Sequence, residues 1–273
     1  MSAQQLPSLS SSQVIELQDA LLANADRLLV SALDVLELGD VGLARSLAIL
    51  AMEESGKAIA LHERRVAMAF VPEGEPFVNE ELASLWSSHA RKLNLVHGFL
   101  VEERYWFDVE PSDPEANEAV LGTIEEWSRG HNHLKQRGFY VDVDPTGGVL
   151  APTDATDRES VAAVISHVHQ IGWQLRLGEH IEAKCREEAA RAVPPASDVE
   201  IEAMRATLSG VPSGDVDDVI DAMRRGRPAR RLDNDGYRLQ LPATGHPFEN
   251  VGRPGYEAQT RELIRLAGEL DGR

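Results

Sequence analysis

The stretch LARSLAILAMEESGKAIAL, residues 43–61, decides the fold and also carries its main anomaly. Leu47, Leu50, Ala51, Ala58 and Leu61 form one apolar stripe when successive residues are placed about 100° apart, as in an α-helix. Glu54 falls near the centre of that stripe, and Lys57 and Glu53 lie on its flank. A carboxylate on a core-facing stripe is costly unless it is paired or hydrogen-bonded, so Glu54 needs a partner.

The helix that follows offers this partner. We expect a third long helix over residues 79–107, with His89 at the centre of its apolar stripe and Lys92 three residues later on the flank. The two helices then share one arrangement, in which a polar residue on the stripe is followed at i+3 by a lysine. If they pack against each other, Glu54 and His89 face each other in the interface.

Helical periodicity along the rest of the chain predicts an all-α protein, an antiparallel bundle of about five long helices. The two-residue joint Gly39-Asp40 between the first two helices indicates an antiparallel hairpin. The composition changes after Pro194-Pro195, so we expect a bundle over residues 1–194 and an α-helical extension over residues 195–273. The expected helices span residues 10–38, 41–70, 79–107, 115–137 and 157–192 in the bundle, and 197–209, 215–225 and 256–270 in the extension.

Bulk composition narrows the classes of function. A net charge of −18 over 273 residues argues against a general nucleic-acid coat protein and against binding to anionic membranes, although a locally basic cleft is compatible with RNA chemistry. No apolar segment approaches the roughly 20 residues that span a bilayer, and the N-terminus lacks a secretory pattern, so we expect a cytoplasmic protein. The single cysteine, Cys185, is too few for a cysteine-built metal site, and the paired Glu-x-x-His motifs of a di-iron bundle are missing. We therefore expect no metal and no cofactor.

Three segments together resemble the AbiV family of bacterial abortive-infection proteins, which is related to the HEPN superfamily of small helical bundles. The resemblance covers about residues 14–185 and implies a HEPN-like bundle that forms a homodimer. Many members of that superfamily are toxins and RNases. The segments are AILAMEESGK at residues 48–57, SHARK at residues 88–92 and KQRGFYVD at residues 135–142.

The resemblance also implies roles for individual residues. HEPN helices show a glutamate followed four residues later by a lysine, here Glu53 and Lys57, and often a histidine that opens the next core helix, here His89. Arg137 and Tyr140 correspond to the arginine and tyrosine near the end of the bundle. The comparison thus favours Glu53 as the functional glutamate, whereas helical geometry favours Glu54 facing His89.

We expect a catalytic pocket in which His89, tuned by Glu54, transfers protons while Lys57, Lys92 or Arg137 stabilises a phosphate. Metal-independent RNA cleavage requires a base for the 2′-hydroxyl proton, cations for the charge on phosphorus, and an acid for the leaving oxygen. The alternative interpretation of the same residues is a buried polar network that fixes the register of the helices.

Three other groups of residues are candidates for binding. We expect Glu53 to pair with Lys57 at the pocket rim. The second group is Arg137 with Tyr140 and Asp142 in the extended run at residues 139–143. These residues either form a wall of the pocket or have only a structural role in closing the end of the helix with a turn. The tract RRGRPARR at residues 224–231 either binds RNA phosphates or docks on an acidic surface of a second subunit. Docking is favoured because the flanks are acidic and no interleaved aromatic residue indicates base stacking. Its arginines are Arg224, Arg225, Arg227, Arg230 and Arg231.

The sequence therefore predicts an abortive-infection effector that interferes with translation, either by cleaving RNA or by sequestering a component. The Arg-x4–6-His motif of many HEPN nucleases has only a poor match, because Arg91 and His97 point away from each other on a helix. A non-enzymatic binding module triggered by a phage protein is the main alternative, and a regulatory partner is the third.

Overall fold

The computed structural model describes residues 6–105, 111–210, 213–239, 246 and 248–271, and over these residues the all-α prediction is confirmed. A two-stranded hairpin and two short 3-10 turns interrupt the helices. The helices are α1 Ser11–Glu37, α2 Val41–Met68, α3 Glu80–Ser87, α4 His89–Glu102, α5 Pro114–Leu121, α6 Ile124–Arg137, α7 Arg158–Ala189, α8 Asp198–Thr207, α9 Ser213–Arg225 and α10 Glu257–Asp271.

Helices α1 and α2 form the expected antiparallel hairpin. The α1 helix begins at a capping box in which Ser10 and Gln13 bond each other's backbone, and it ends before Gly39, whose φ of 90° suits a residue without a Cβ. Asp40 then caps α2 by accepting a hydrogen bond from the Leu43 backbone at 3.0 Å. The α2 helix packs against α1, α4, α6 and α7, so it is the central helix of the bundle.

Small residues of α2 let its neighbours approach to backbone contact. A Cβ on Gly56 would lie 2.7 Å from the backbone oxygen of Lys92 on α4, and a Cβ on Gly138 would lie 2.0 Å from the backbone oxygen of Gly42. The Ser46 hydroxyl donates to the backbone oxygen of Lys135 at 2.7 Å and ties the end of α6 to α2. Helices α4 and α6 therefore deliver their side chains directly onto α2.

The expected third helix over residues 79–107 is wrong as a single element. The chain is extended at Ser88, with φ −116° and ψ 115°, and the Ser88 hydroxyl accepts a hydrogen bond from the Arg91 backbone to cap α4. A serine that satisfies a free backbone N–H competes with a continuous helix. His89 consequently opens α4 instead of lying at the centre of one long stripe. The C-terminal end of the prediction, Phe107, lies outside the described residues.

The expected fourth helix over residues 115–137 also divides in two. Gly122 ends α5 with a φ of 81°, and Thr123 caps α6 by accepting from the Glu126 backbone at 3.4 Å. After α6, the extended run becomes a hairpin in which strand Asp142–Val143 pairs with strand Val149–Leu150.

The residues after 195 contact the bundle at several places. Arg176 of α7 donates to the backbone oxygen of Gly255 at 3.0 and 2.7 Å and lies 3.7 Å over the Tyr256 ring, which fixes the start of α10. The backbone N–H groups of Asp233 and Asn234 donate to Ala69 at the end of α2. The division between residues 1–194 and 195–273 stays a prediction.

In the ranges described above, no helix is both long enough and apolar enough to cross a bilayer. The cytoplasmic location stays a prediction.

Candidate functional site

A buried carboxylate lies where α2, α4 and α6 meet. Glu53 is 3% exposed, and its Oε2 is 2.5 Å from Nδ1 of His89. Its Oε1 accepts a hydrogen bond from Nζ of Lys135, and Nζ of Lys92 is 4.0 Å from Oε2. Nζ of Lys135 also lies 3.3 Å from Nδ1 of His89. We call these four residues the Glu53 cluster.

The prediction that Glu54 faces His89 is wrong, and so is the prediction that Glu53 pairs with Lys57. Glu54 points outward and accepts a hydrogen bond from Nζ of Lys57 at 2.6 Å. That ammonium lies 5.2 Å from the centroid of the Trp86 ring. Glu53, the residue favoured by the family resemblance, is the partner of His89.

The error has a physical cause. Helix α2 is enclosed by four other helices, so nearly every side of it is apolar and a single stripe does not mark the core. The stripe expected to face the core is mixed, because Ala51, Ala58 and Leu61 in it are fully buried whereas Leu47 and Leu50 are only half-buried. Glu54 and Lys57 are half-buried like Leu47 and Leu50, whereas Ala48 and Met52 on other sides of the helix are fully buried.

The members of the Glu53 cluster differ sharply in exposure. The His89 side chain is 60% exposed, whereas the side chains of Glu53 and Lys135 are 4% and 8% exposed. Nε2 of His89 forms no hydrogen bond with another described residue. The imidazole therefore lies at a rim, with one nitrogen held by the protein and the other free for a ligand.

Two lysine ammonium groups lie close to His89 and its carboxylate, with Nζ of Lys135 3.3 Å from Nδ1 of His89 and Nζ of Lys92 4.0 Å from Oε2 of Glu53. Burial lowers the pKa of Lys92, the nearby Lys57 lowers it further, and the carboxylates of Glu53 and Glu54 act in the opposite direction. An ammonium whose pKa is lowered gives up its proton more readily than an ordinary lysine. Lys92 is thus suited both to bind an anion and to supply a proton.

The contact with Glu53 determines which nitrogen of His89 carries the proton. Because a carboxylate only accepts hydrogen bonds, the contact with Oε2 of Glu53 favours a proton on Nδ1, and in the neutral ring Nε2 then has a lone pair. A carboxylate in this position orients the ring and stabilises the imidazolium that forms when Nε2 accepts a proton. The arrangement is chemically competent for general base catalysis at the exposed side of the ring.

Arg137, Tyr140 and Asp142 lie away from the Glu53 cluster. Burial lowers the pKa of Arg45 on α2, and the carboxylate of Asp157 acts in the opposite direction. The charge of Arg137 lowers the pKa of Arg45 further, so Arg137 lies near Arg45. Tyr140 is 68% exposed, and Asp142 accepts a hydrogen bond from its neighbour Val143. No hydrogen bond or ion pair between described residues links these three to the cluster, so a pocket wall stays a prediction.

The arginine tract is exposed and partly anchored to the bundle. Arg227 donates to the backbone oxygen of Glu188 at 2.6 Å, and the guanidinium of Arg230 lies 4.0 Å over the Phe70 ring. Arg224 pairs with Asp221 at 3.4 Å, and Arg225 donates to the backbone oxygen of the same residue at 3.2 Å. Arg231 is exposed. The structure does not bring this tract to the Glu53 cluster.

Lys135 is absent from the residues expected from the sequence, although a signal for it exists. Trp127, His131 and Lys135 are spaced at i, i+4 and i+8 along α6, which places Lys135 on the buried side of that helix. His97, the weak candidate for a nuclease motif, is buried and bonds the Gly122 backbone at 2.9 Å. Among the residues that the structure describes, no three His, Cys, Asp or Glu side chains are grouped in a way that could hold a metal.

Together, the bundle and the cluster define a class of protein, a HEPN-like helical bundle with a polar site on its central helix. The chain belongs to the AbiV family of this class, because the HEPN family model described as AbiV matches residues 13–173. That range contains the whole Glu53 cluster and excludes the arginine tract. No curated protein and no solved structure gives a significant match. Membership associates the chain with abortive infection, that is, with defence against phage.

Proposed function

We propose that this AbiV-family chain is an abortive-infection effector that interferes with translation by cleaving RNA at the Glu53 cluster without a metal ion. One observation carries the proposal, namely an exposed imidazole whose Nδ1 is bound by a buried carboxylate. Lys92 lies 4.0 Å from that carboxylate, and Lys57 is near enough to Lys92 to lower its pKa. A base and nearby cations are what phosphodiester cleavage by an internal hydroxyl requires.

The reaction follows from this arrangement. Nε2 of His89 accepts the proton of a ribose 2′-hydroxyl, and the 2′-oxygen attacks the adjacent phosphorus. The bond to the 5′-oxygen breaks, and that oxygen leaves with a proton from Lys92. The products are a 2′,3′-cyclic phosphate and a 5′-hydroxyl. Lys57 stabilises the negative charge that develops on the phosphate oxygens.

Glu53 and Lys135 act through His89 and are positioning residues. Glu53 holds the ring and the tautomer, and Lys135 neutralises the buried carboxylate. If Glu53 acts in this way, Glu53→Gln lowers the rate constant of cleavage more than it weakens RNA binding, because the amide no longer stabilises an imidazolium.

The test uses the purified full chain and total cellular RNA in the presence of a chelator. We expect fragments with cyclic phosphate ends from the wild type and none from His89→Ala. The matched control is His133→Ala, since His133 is an exposed histidine on α6 outside the cluster. Equal fragmentation by the wild type and His89→Ala would overturn the assignment of His89, and dependence on added metal would overturn the mechanism.

A second candidate is a non-enzymatic module that sequesters a component of translation after contact with a phage protein. The burial of His97 favours it, because the second half of the Arg-x4–6-His pattern is then unavailable. In that case His89→Ala keeps full protection against phage, and the wild type leaves RNA intact. The third candidate is a regulatory partner within an operon. In that case, expressing this chain without the neighbouring genes does not harm the cell.

A further inference from the structure

Arg45 is a buried arginine that forms no ion pair with any residue that the structure describes. It lies near the start of α2, is 7% exposed, and donates from Nη1 to the Ser160 hydroxyl at 3.4 Å, a long hydrogen bond. Its Nε is enclosed and has no hydrogen-bond acceptor among the described residues. A guanidinium stays charged in proteins, so burying one without a counter-charge is costly.

Buried arginines elsewhere in the bundle have stronger acceptors. Arg65 and Arg176 pair with Glu179 at 3.1 and 2.9 Å, and Arg186 donates to two backbone oxygens. Nε is also unpaired in Arg65 and Arg186. What distinguishes Arg45 is that no carboxylate or carbonyl of a described residue accepts from the rest of its guanidinium.

A second arginine lies beside Arg45. Arg137 ends α6, and the next residue, Gly138, lies so close to α2 that a Cβ there would be 2.0 Å from the backbone oxygen of Gly42. Burial lowers the pKa of Arg45, Asp157 raises it, and the charge of Arg137 lowers it again. Arg137 is half-buried and forms no hydrogen bond or ion pair within the described ranges. Two positive charges therefore lie together where α6 ends and α2 begins.

The one carboxylate that acts on Arg45 is already engaged. Asp157 caps α7 and accepts hydrogen bonds from the backbone N–H groups of Ser160 and Glu159. Its single charge does not balance two guanidinium groups. Nη2 of Arg45 has no acceptor among the described residues either, and it is not enclosed as Nε is, so a ligand can reach it.

We propose that Arg45 and Arg137 together bind a phosphate group at this end of the bundle. Guanidinium groups bind phosphate oxygens through paired, charge-assisted hydrogen bonds, and a phosphate between the two would supply the missing negative charge.

The phosphate comes either from the backbone of a bound RNA or from free phosphate. Arg45 precedes Glu53 by eight residues on α2, which is about 12 Å along the helix axis. An RNA phosphate at Arg45 thus belongs to a nucleotide near the bond that is cleaved. The RNA source rests on the proposed function, whereas the free-phosphate source does not.

The first test measures thermal unfolding of the full chain in inorganic phosphate and in sodium chloride at equal ionic strength. We expect phosphate to raise the Tm of the wild type and not that of R45M/R137Q, because a ligand stabilises only the fold that binds it. In phosphate-free buffer, R45M should be at least as stable as the wild type, since it removes a buried charge without a partner. A much less stable R45M would show that Arg45 is satisfied within the protein, which overturns the proposal.

The second test measures the affinity of the full chain for a short, labelled 2′-O-methyl RNA oligonucleotide, which has no free 2′-hydroxyl and is not cleaved. If RNA is the source, R137Q should weaken binding by at least about tenfold. It should also reduce the slope of log affinity against log salt by about 0.7, as expected for one phosphate contact on a single strand. The matched control R129Q removes an exposed arginine of the same helix and should change neither quantity.

The two tests together identify the source of the phosphate. A phosphate effect on Tm that R45M/R137Q abolishes, with unchanged oligonucleotide binding in R137Q, supports the site and assigns it to free phosphate. No phosphate effect in the wild type, together with unchanged oligonucleotide binding in R137Q, overturns the proposal. Neither probe is cleaved, so a chain that binds the oligonucleotide through these arginines but leaves natural RNA intact would overturn the proposed function and support this inference.

Discussion

Glu53 carries a negative charge inside the protein, and His89, Lys92 and Lys135 surround it. A buried ion pair contributes little by itself, but removing one partner leaves the other charge without compensation. The neighbouring Glu54 has the same chemistry in a partly exposed place, where it pairs only with Lys57. The two adjacent glutamates therefore provide a direct comparison between a buried and a partly exposed carboxylate.

We expect Glu53→Gln to lower the free energy of unfolding by about 3 kcal/mol, because two buried ammonium groups lose their counter-charge. Glu54→Gln, the matched control, should cost less than about 1 kcal/mol. Denaturant unfolding of both variants measures the difference. Equal costs for the two substitutions would show that Glu53 is not the charge that holds α4 and α6 to α2.

His62 provides a prediction for the pH dependence of stability. Its side chain is fully buried beside Tyr105, whose hydroxyl lies 2.6 Å from Nε2. Burial lowers the pKa of His62 from 6.5 to about 4. Between these values the unfolded chain binds a proton that the folded protein excludes, so stability is fully present above pH 6.5 and falls as the pH falls toward 4.

The expected size of this effect is about 3 kcal/mol, from roughly 2.5 pKa units at 1.36 kcal/mol each. We expect His62→Gln to remove that part of the pH dependence, since glutamine does not titrate. Unfolding measured at several pH values for both proteins gives the difference directly. Parallel pH profiles for the wild type and His62→Gln would contradict it.

At the scale of elements, the site depends on how closely α4 approaches α2. Gly56 makes this approach possible, since a Cβ there would lie 2.7 Å from the Lys92 backbone. Gly98 on α4 has no atom within 4 Å of an added Cβ. Replacing each of these glycines by alanine thus separates the effect of helix packing on stability from the effect of helix propensity.

We expect Gly56→Ala to destabilise the protein by about 1–3 kcal/mol through overpacking and to lower the RNA cleavage rate by displacing His89 and Lys92. Gly98→Ala should be neutral or stabilising, because alanine favours a helix by up to about 1 kcal/mol over glycine. Thermal unfolding and the cleavage assay check both variants. An intact site in Gly56→Ala would refute the role of the close approach.

The elements also explain what the sequence could and could not predict. Periodicity identifies long helices well, and the hairpin of α1 and α2 follows from Gly39 and Asp40. The break at Ser88 is not visible in periodicity, because apolar residues continue on both sides of it and only the serine cap interrupts the helix. Lys135 lies 82 residues from Glu53 along the chain, so their contact depends on tertiary packing that a local pattern does not contain.

At the scale of the whole molecule, Arg176 connects the bundle to the C-terminal segment. Its guanidinium is almost fully buried, pairs with Asp19 and Glu179, and donates to the Gly255 backbone. Because α10 begins directly after this contact, one side chain links α1, α7 and α10. The family match ends at residue 173, just before this arginine.

We expect Arg176→Gln to cost about 3 kcal/mol of stability and to increase hydrogen exchange in residues 257–271, because the half-buried carboxylates of Asp19 and Glu179 each lose one of their two arginine partners and α10 loses its anchor. Arg265→Gln is the control, since Arg265 forms only exposed pairs within α10. Unchanged exchange in α10 would show that the helix is held by other contacts.

The central claim is that this AbiV-family chain acts through His89. Its most direct test is to map RNA ends in phage-infected cells that express the wild type or His89→Ala at equal levels. We predict that cyclic phosphate ends and protection against phage both occur with the wild type and both disappear with His89→Ala. Full protection by His89→Ala, without such RNA ends, would contradict the account.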